Sequence, residues 1–199
     1  LPKPRKPPLR APKPNTANRA KPEFLPNFSS SLFNVACDEA NELVTGWSKK
    51  LCEQKGQTRV YLDFLLQIHR LVKKHKRRMM FWGDIILNHP DLIAELPREH
   101  LLALDWGYEA DSPFHLTTGR FAEAGVPFYV CPGTSTWNSL SGRWDNCRMN
   151  LVSAARSGRT NGASGYMITD WGDHGHWQTP PFSWPGFAFG AAMAWAGEA

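Results

Sequence analysis

Two carboxyl groups stand side by side at Asp38 and Glu39, directly after the apolar run Phe33-Asn34-Val35-Ala36-Cys37. Neighbouring side chains at a strand end point in different directions, so the pair can take two roles at one substrate. A glycosidase with two independent carboxyls holds them about 5–9.5 Å apart, usually on different strands. An adjacent pair suits another chemistry, in which the substrate's own acetamido group is the nucleophile. One carboxyl then protonates the leaving oxygen. The other holds the acetamide N–H and stabilises the positive charge that develops there. The same two residues also fit solvated loop acids, or a helix cap at Asp38 with its dipole complemented.

Tryptophan is the second signal. Of nine indoles, Trp82, Trp106, Trp137 and Trp171 fall at or just past predicted strand ends. Each has polar company, in Trp82-Gly83-Asp84, Trp106-Gly107-Tyr108-Glu109, Trp137-Asn138 and Trp171-Gly172-Asp173. An aromatic face packs on the apolar face of a sugar ring, and polar neighbours take its hydroxyls. Each indole taken alone fits a core position as well. Trp144, Trp177, Trp184 and Trp195 lack the strand-end placement and read as packing or outer-site residues. Asp173, His174 and His176 have a spacing that a metal loop could use, but no second His or Cys cluster completes a site. No metal is expected. No cofactor is expected either, since no G-x-G-x-x-G follows a strand.

The elements that must position these residues alternate. Apolar runs are predicted as strands at Ser31–Cys37, Met79–Trp82, Leu101–Trp106, Pro127–Val130 and Gly165–Thr169. Helical spacing is predicted over Thr58–His75, Pro90–Leu96, Pro113–Ala124, Asp145–Ser157 and Pro185–Ala196. Five strand–helix units with uniformly apolar strands indicate an α/β fold with a parallel sheet. The chemistry-bearing residues follow the strands, where a (β/α)8 TIM-type barrel carries its active site. Five units cannot close such a barrel, so the expectation is an incomplete one. A Rossmann sheet is the competing architecture, without a dinucleotide fingerprint to support it.

The chain has 199 residues and a formal charge of +5. Residues 1–27 hold seven of the 23 Lys and Arg, one of the 18 acids and eight of the 16 prolines. They read as a Pro/Lys-rich disordered tail or linker, with the catalytic domain at 28–199. The remaining 16 basic and 17 acidic residues leave that domain at −1, so no nucleic-acid partner is expected. No apolar stretch is long enough for a membrane span, and no uncleaved apolar leader is expected. Cys37, Cys52, Cys131 and Cys147 show no C-x-x-C spacing; Cys37 and Cys131 are expected as buried thiols. The basic run Arg70–Arg78 is read as a solvated helix end.

Taken together, Phe33–Glu39, Met80-Phe81-Trp82-Gly83-Asp84, Trp106-Gly107-Tyr108, Pro132-Gly133-Thr134-Ser135-Thr136-Trp137-Asn138 and Thr169–Asp173 resemble the C-terminal part of glycoside hydrolase family 20 barrels, the β-N-acetylhexosaminidases. The resemblance covers about residues 29–199, equivalent to strands four to eight. It implies a retaining exo-β-N-acetylhexosaminidase that works by substrate assistance through an oxazolinium intermediate. Glu39 would be the general acid and then base, and Asp38 would orient the 2-acetamido group. Trp82, Trp106 and Trp171 would enclose the sugar, Tyr108 would bond the acetamide carbonyl, and Asp173 would bind outer hydroxyls. Asp84, Trp137 and Asn138 are further substrate-binding candidates at the same rim. The partner implied is a glycan containing N-acetylhexosamine. The family usually carries glycine where Ala36 and Cys37 stand, and its substrate-clamping Arg and His lie on strands outside this stretch. A truncated sugar-binding relic, or one piece of a barrel completed by another chain, is the alternative.

Overall fold

The computed structural model describes residues 25–175 and 177–197. The remainder of the basic tail, His176 and the last two residues lie outside the described residues. Five strands run through the middle: β1 (Leu32–Asn34), β2 (Arg78–Trp82), β3 (Leu101–Trp106), β4 (Phe128–Cys131) and β5 (Gly165–Tyr166). They pair in chain order and every pairing is parallel. Among the described residues seven α-helices accompany them: α1 (Lys49–Lys55), α2 (Gln57–Lys74), α3 (Asp84–Leu87), α4 (Pro90–Ile93), α5 (Phe114–Glu123), α6 (Trp144–Thr160) and α7 (Trp184–Ala196). The α/β class and the parallel sheet are as the sequence pattern indicates.

Helix α2 forms because Val60, Tyr61, Leu65, Ile68 and Val72 recur on one buried face. It ends on Lys73 and Lys74, whose charges suit a helix C-terminus. That face, with Phe114 and Phe121 of α5 and Ala154 of α6, packs on Met79, Phe81, Leu101, Ala103, Phe128 and Val130 of the strands. The opposite sheet face carries Met80, Trp82, Leu102, Leu104 and Cys131, all buried in a second apolar cluster. Both faces of the central strands are therefore apolar, as a parallel sheet requires.

Several expectations change in detail. β1 ends at Asn34 rather than Cys37 because Ala36 and Cys37 take left-handed backbone, with φ of 59° and 72°. Cys37 is half-buried, whereas Cys52, Cys131 and Cys147 are buried. The basic run is more than a solvated helix end. Arg77 donates to the carbonyls of Phe28, Ser29 and Ser30, and Arg78 to that of Leu101. Leu25 is buried in a short 3₁₀ turn over Leu25–Asn27. β5 is only two residues long, and Gly165 is needed there. A Cβ at that position would lie 2.4 Å from the Tyr129 ring.

Candidate active site

An all-parallel sheet puts the C-terminal ends of its strands along one edge, and the loops that follow share one rim. Main-chain bonds lace that rim beyond the regular strands. Val35 N–H donates to the Met80 carbonyl at 2.9 Å, Trp82 N–H to Ala36 at 3.0 Å and Gly83 N–H to Leu104 at 2.9 Å. At the other end Thr134 N–H donates to Thr169 at 3.0 Å and Thr169 N–H to Pro132 at 2.9 Å.

The loop bearing Asp38 and Glu39 is held residue by residue. Ala36 N–H donates to Asn34 Oδ1 at 2.8 Å. The Tyr61 hydroxyl reaches out of α2 and donates to the Cys37 carbonyl at 2.8 Å. Glu39 N–H donates to Asp84 Oδ2 at 3.0 Å. These ties fix a segment in which Ala36, Cys37 and Glu39 all have positive φ. Burial raises the Asp84 carboxyl above its ordinary range. The Glu39 amide and the Trp106 indole N–H oppose that rise, and the nearby Asp38 charge adds to it.

A cavity of about 190 Å³ opens at this rim, lined by Asp38, Glu39, Trp82, Trp106, Tyr108, Trp171 and Asp173. The loops after β1, β3 and β5 and the last residues of β2 and β3 supply those side chains. Trp82 and Trp171 meet with ring centroids 6.0 Å apart at 55°. Trp106 and Tyr108 stack at 5.0 Å and 24°. Trp171 Nε1–H donates to the Tyr108 hydroxyl oxygen at 2.9 Å, which joins the loops after β3 and β5. Burial pushes the Tyr108 phenol up to about 12, against the bond from Trp171 and the nearby Thr169 hydroxyl, so it keeps its proton at neutral pH. The cavity is smaller than the roughly 300 Å³ at which pockets for drug-sized ligands begin. It suits one ring rather than an extended chain.

Three of the rim candidates do not line the cavity. Asp84 instead accepts from the main-chain N–H of Glu39. Trp137 stands edge-on to Tyr108, with centroids 5.0 Å apart at 89°. Asn138 is exposed on left-handed backbone. Gly133 makes the Trp137 arrangement possible, since a Cβ there would lie 2.4 Å from the Trp137 ring. Among the outer indoles, Trp177, Trp184 and Trp195 are well exposed, and Trp144 packs edge-on to Phe189 at 5.8 Å. His174 is exposed. Among the described residues no three His, Cys, Asp or Glu side chains gather as a metal site. A wider groove of about 760 Å³, lined by Arg148, Met149, Val152 and Arg156 of α6 and Phe189 and Met193 of α7, shares no residue with that cavity.

Other residues build the site without a signal in any motif. Asn150 is buried on α6. Its Nδ2 donates to Gly107 and Glu109 carbonyls at 3.0 and 2.8 Å, and its Oδ1 accepts from Gly133 N–H at 3.1 Å. Asn146 donates to the Tyr108 carbonyl at 2.7 Å and accepts from Ala110 N–H at 2.8 Å. The available clue was periodic. Cys147, Asn150, Leu151 and Ala154 share the inner stripe of α6, and a polar residue in an apolar stripe needs partners. Asp170 Oδ1 accepts from Thr134 and Thr136 hydroxyls at 2.6 and 2.8 Å, pinning the loop that presents Trp171 and Asp173.

Compared with protein-family models and with curated proteins, the chain matches none.

Proposed function

We propose that this rim is the catalytic end of a retaining glycoside hydrolase. The single observation that carries the reading is the small cavity that brings Asp38 and Glu39 together with three indoles, a phenol and Asp173. Carboxyls beside aromatic walls at the C-terminal edge of a parallel sheet suit hydrolysis of a glycoside, and the size suits one terminal sugar.

Within that class, the adjacent acids and the motif resemblance favour an exo-β-N-acetylhexosaminidase of glycoside hydrolase family 20, acting on glycans that end in β-linked N-acetylglucosamine or N-acetylgalactosamine. Glu39 gives its proton to the glycosidic oxygen. The acetamido carbonyl oxygen of the substrate attacks C1, the C1–O bond breaks and the alcohol leaves. Asp38 holds the acetamide N–H and balances the positive charge of the oxazolinium ring. Water then attacks C1 and yields its proton to Glu39, the ring opens, and the original configuration returns. Trp82, Trp106 and Trp171 enclose the sugar and exclude water. Tyr108 accepts from Trp171, so its own hydrogen remains to bond the acetamide oxygen. Asp173 takes outer hydroxyls.

Five strands fall short of a closed (β/α)8 barrel, so the complete catalytic unit needs three more strand–helix units from elsewhere. A sugar-binding role without turnover is the second reading, favoured by the shortness of the three-residue edge strand β1, whose following loop bears the acids.

The test is a thermal melt with and without an N-acetylglucosamine-derived thiazoline, a stable mimic of the cyclic intermediate. A ligand bound only by the folded state raises the midpoint. An upward shift in the chain, abolished by replacing Trp106, supports the site; no shift contradicts it. Glu39→Gln is expected to lower turnover by about 10²–10⁴-fold while leaving thiazoline binding largely intact. Near-normal turnover by that variant removes Glu39 from the mechanism.

A further inference from the structure

We infer that Asp84 is a positioning residue that sets the Glu39 backbone, acting through the main chain and never on the sugar; the inference rests on Glu39 being the acid and base of the proposed reaction. The bond from Glu39 N–H to Asp84 Oδ2 joins the loop after β1 to the first residue of α3 across 45 positions of sequence. It falls where the chain most needs it. Glu39 has a φ of 45° and closes a segment whose Ala36 and Cys37 are also left-handed. Local preference does not favour that backbone, so an external acceptor must define it. Asp84 Oδ1 and Trp106 Nε1 are both buried without a hydrogen-bond partner, and the indole lies close enough to the Asp84 carboxyl to favour its charged form. One half-buried carboxyl thus sits between the backbone of the acid and the Trp106 wall of the cavity. Displacing a catalytic group by about 1 Å costs on the order of 100-fold, so a clasp one bond away from Glu39 has leverage on turnover.

The experiment compares the full chain with Asp84→Ala and Asp84→Asn. Glu39 amide exchange is followed by NMR, and turnover by a chromogenic N-acetylhexosaminide. The asparagine oxygen can still accept the amide; alanine cannot. Expected is a protected Glu39 amide in the wild type and in Asp84→Asn, and fast exchange in Asp84→Ala. Turnover is expected to fall by about 10–100-fold in Asp84→Ala with KM little changed, and to return in Asp84→Asn. An unprotected Glu39 amide in the wild type overturns the inference, and so does protection that survives in Asp84→Ala. Equal damage by both variants also overturns it, because charge rather than position would then matter. If Asp84→Ala does not fold, the wild type and Asp84→Asn decide. The exchange pattern without a thiazoline-induced rise in the wild-type melting midpoint upholds the clasp and removes the hexosaminidase reading instead.

Discussion

Ala36 pays a conformational cost that its side chain does not recover. Its φ is 59° and it is exposed. Left-handed backbone costs an L-residue about 1–2 kcal/mol, and glycine's extra unfolded-state freedom takes back about 0.5–1. Ala36→Gly is therefore expected to raise stability by up to about 1 kcal/mol, read as a higher denaturant midpoint at unchanged slope. Asp105 gives a pH-dependent prediction. It lies almost fully buried at the end of β3, with Oδ2 accepting from Thr117 at 2.7 Å and Oδ1 unpartnered. Burial pushes its carboxyl up to about 7, from about 3.9 when unfolded. The folded state thus binds the proton more tightly. The associated stability is complete below the unfolded pKa and is lost as pH rises through about 7. The loss is on the order of a few kcal/mol. Asp105→Asn is expected to flatten that decline, seen as a growing stability advantage over the wild type between about pH 4 and pH 8.

At the scale of elements, α6 organises the rim more than its sequence announces. Asn150 satisfies three main-chain groups in two loops, after β3 and after β4. Asn150→Ala strands them, at about 1–3 kcal/mol per buried group. A lowered midpoint and a weakened thiazoline shift are expected together, because Gly107 and Glu109 flank Tyr108. The nearby pair of Arg143 and Glu109 is a contrast. It is bidentate, at 2.8 and 2.7 Å, but both side chains are about half exposed. Glu109→Gln is expected to change stability by less than about 1 kcal/mol. A larger loss would mean that the pair supports the rim as Asn150 does.

For the whole molecule, chain-order pairing of parallel strands has two consequences. All five post-strand loops fall on one edge, so residues 135 positions apart, Asp38 and Asp173, share one cavity. The sheet also grades in strength. β2 and β3 are flanked on both sides and buried on both faces, while β1 and β5 are short and lie at the edges. Amide exchange is expected to be slowest in Met79–Trp82 and Leu101–Asp105 and faster in β1 and Gly165–Tyr166. Uniform protection would show that the edges are covered.

The sequence by itself determined the order and type of the main elements, because helical spacing of apolar residues and short apolar runs are local patterns. It also marked Asp38, Glu39, Trp82, Trp106, Tyr108, Trp171 and Asp173, since each ends or closely follows an apolar run that reads as a strand. Only the tertiary structure decided that Asp84 faces the Glu39 amide and not the cavity, that Trp137 backs Tyr108, and that Asn146, Asn150 and Tyr61 hold the loops. The physical reason is that a hydrogen bond between distant loops leaves no period in the chain. Whether a polar side chain meets a substrate or a neighbouring backbone is settled by which loops the sheet brings side by side.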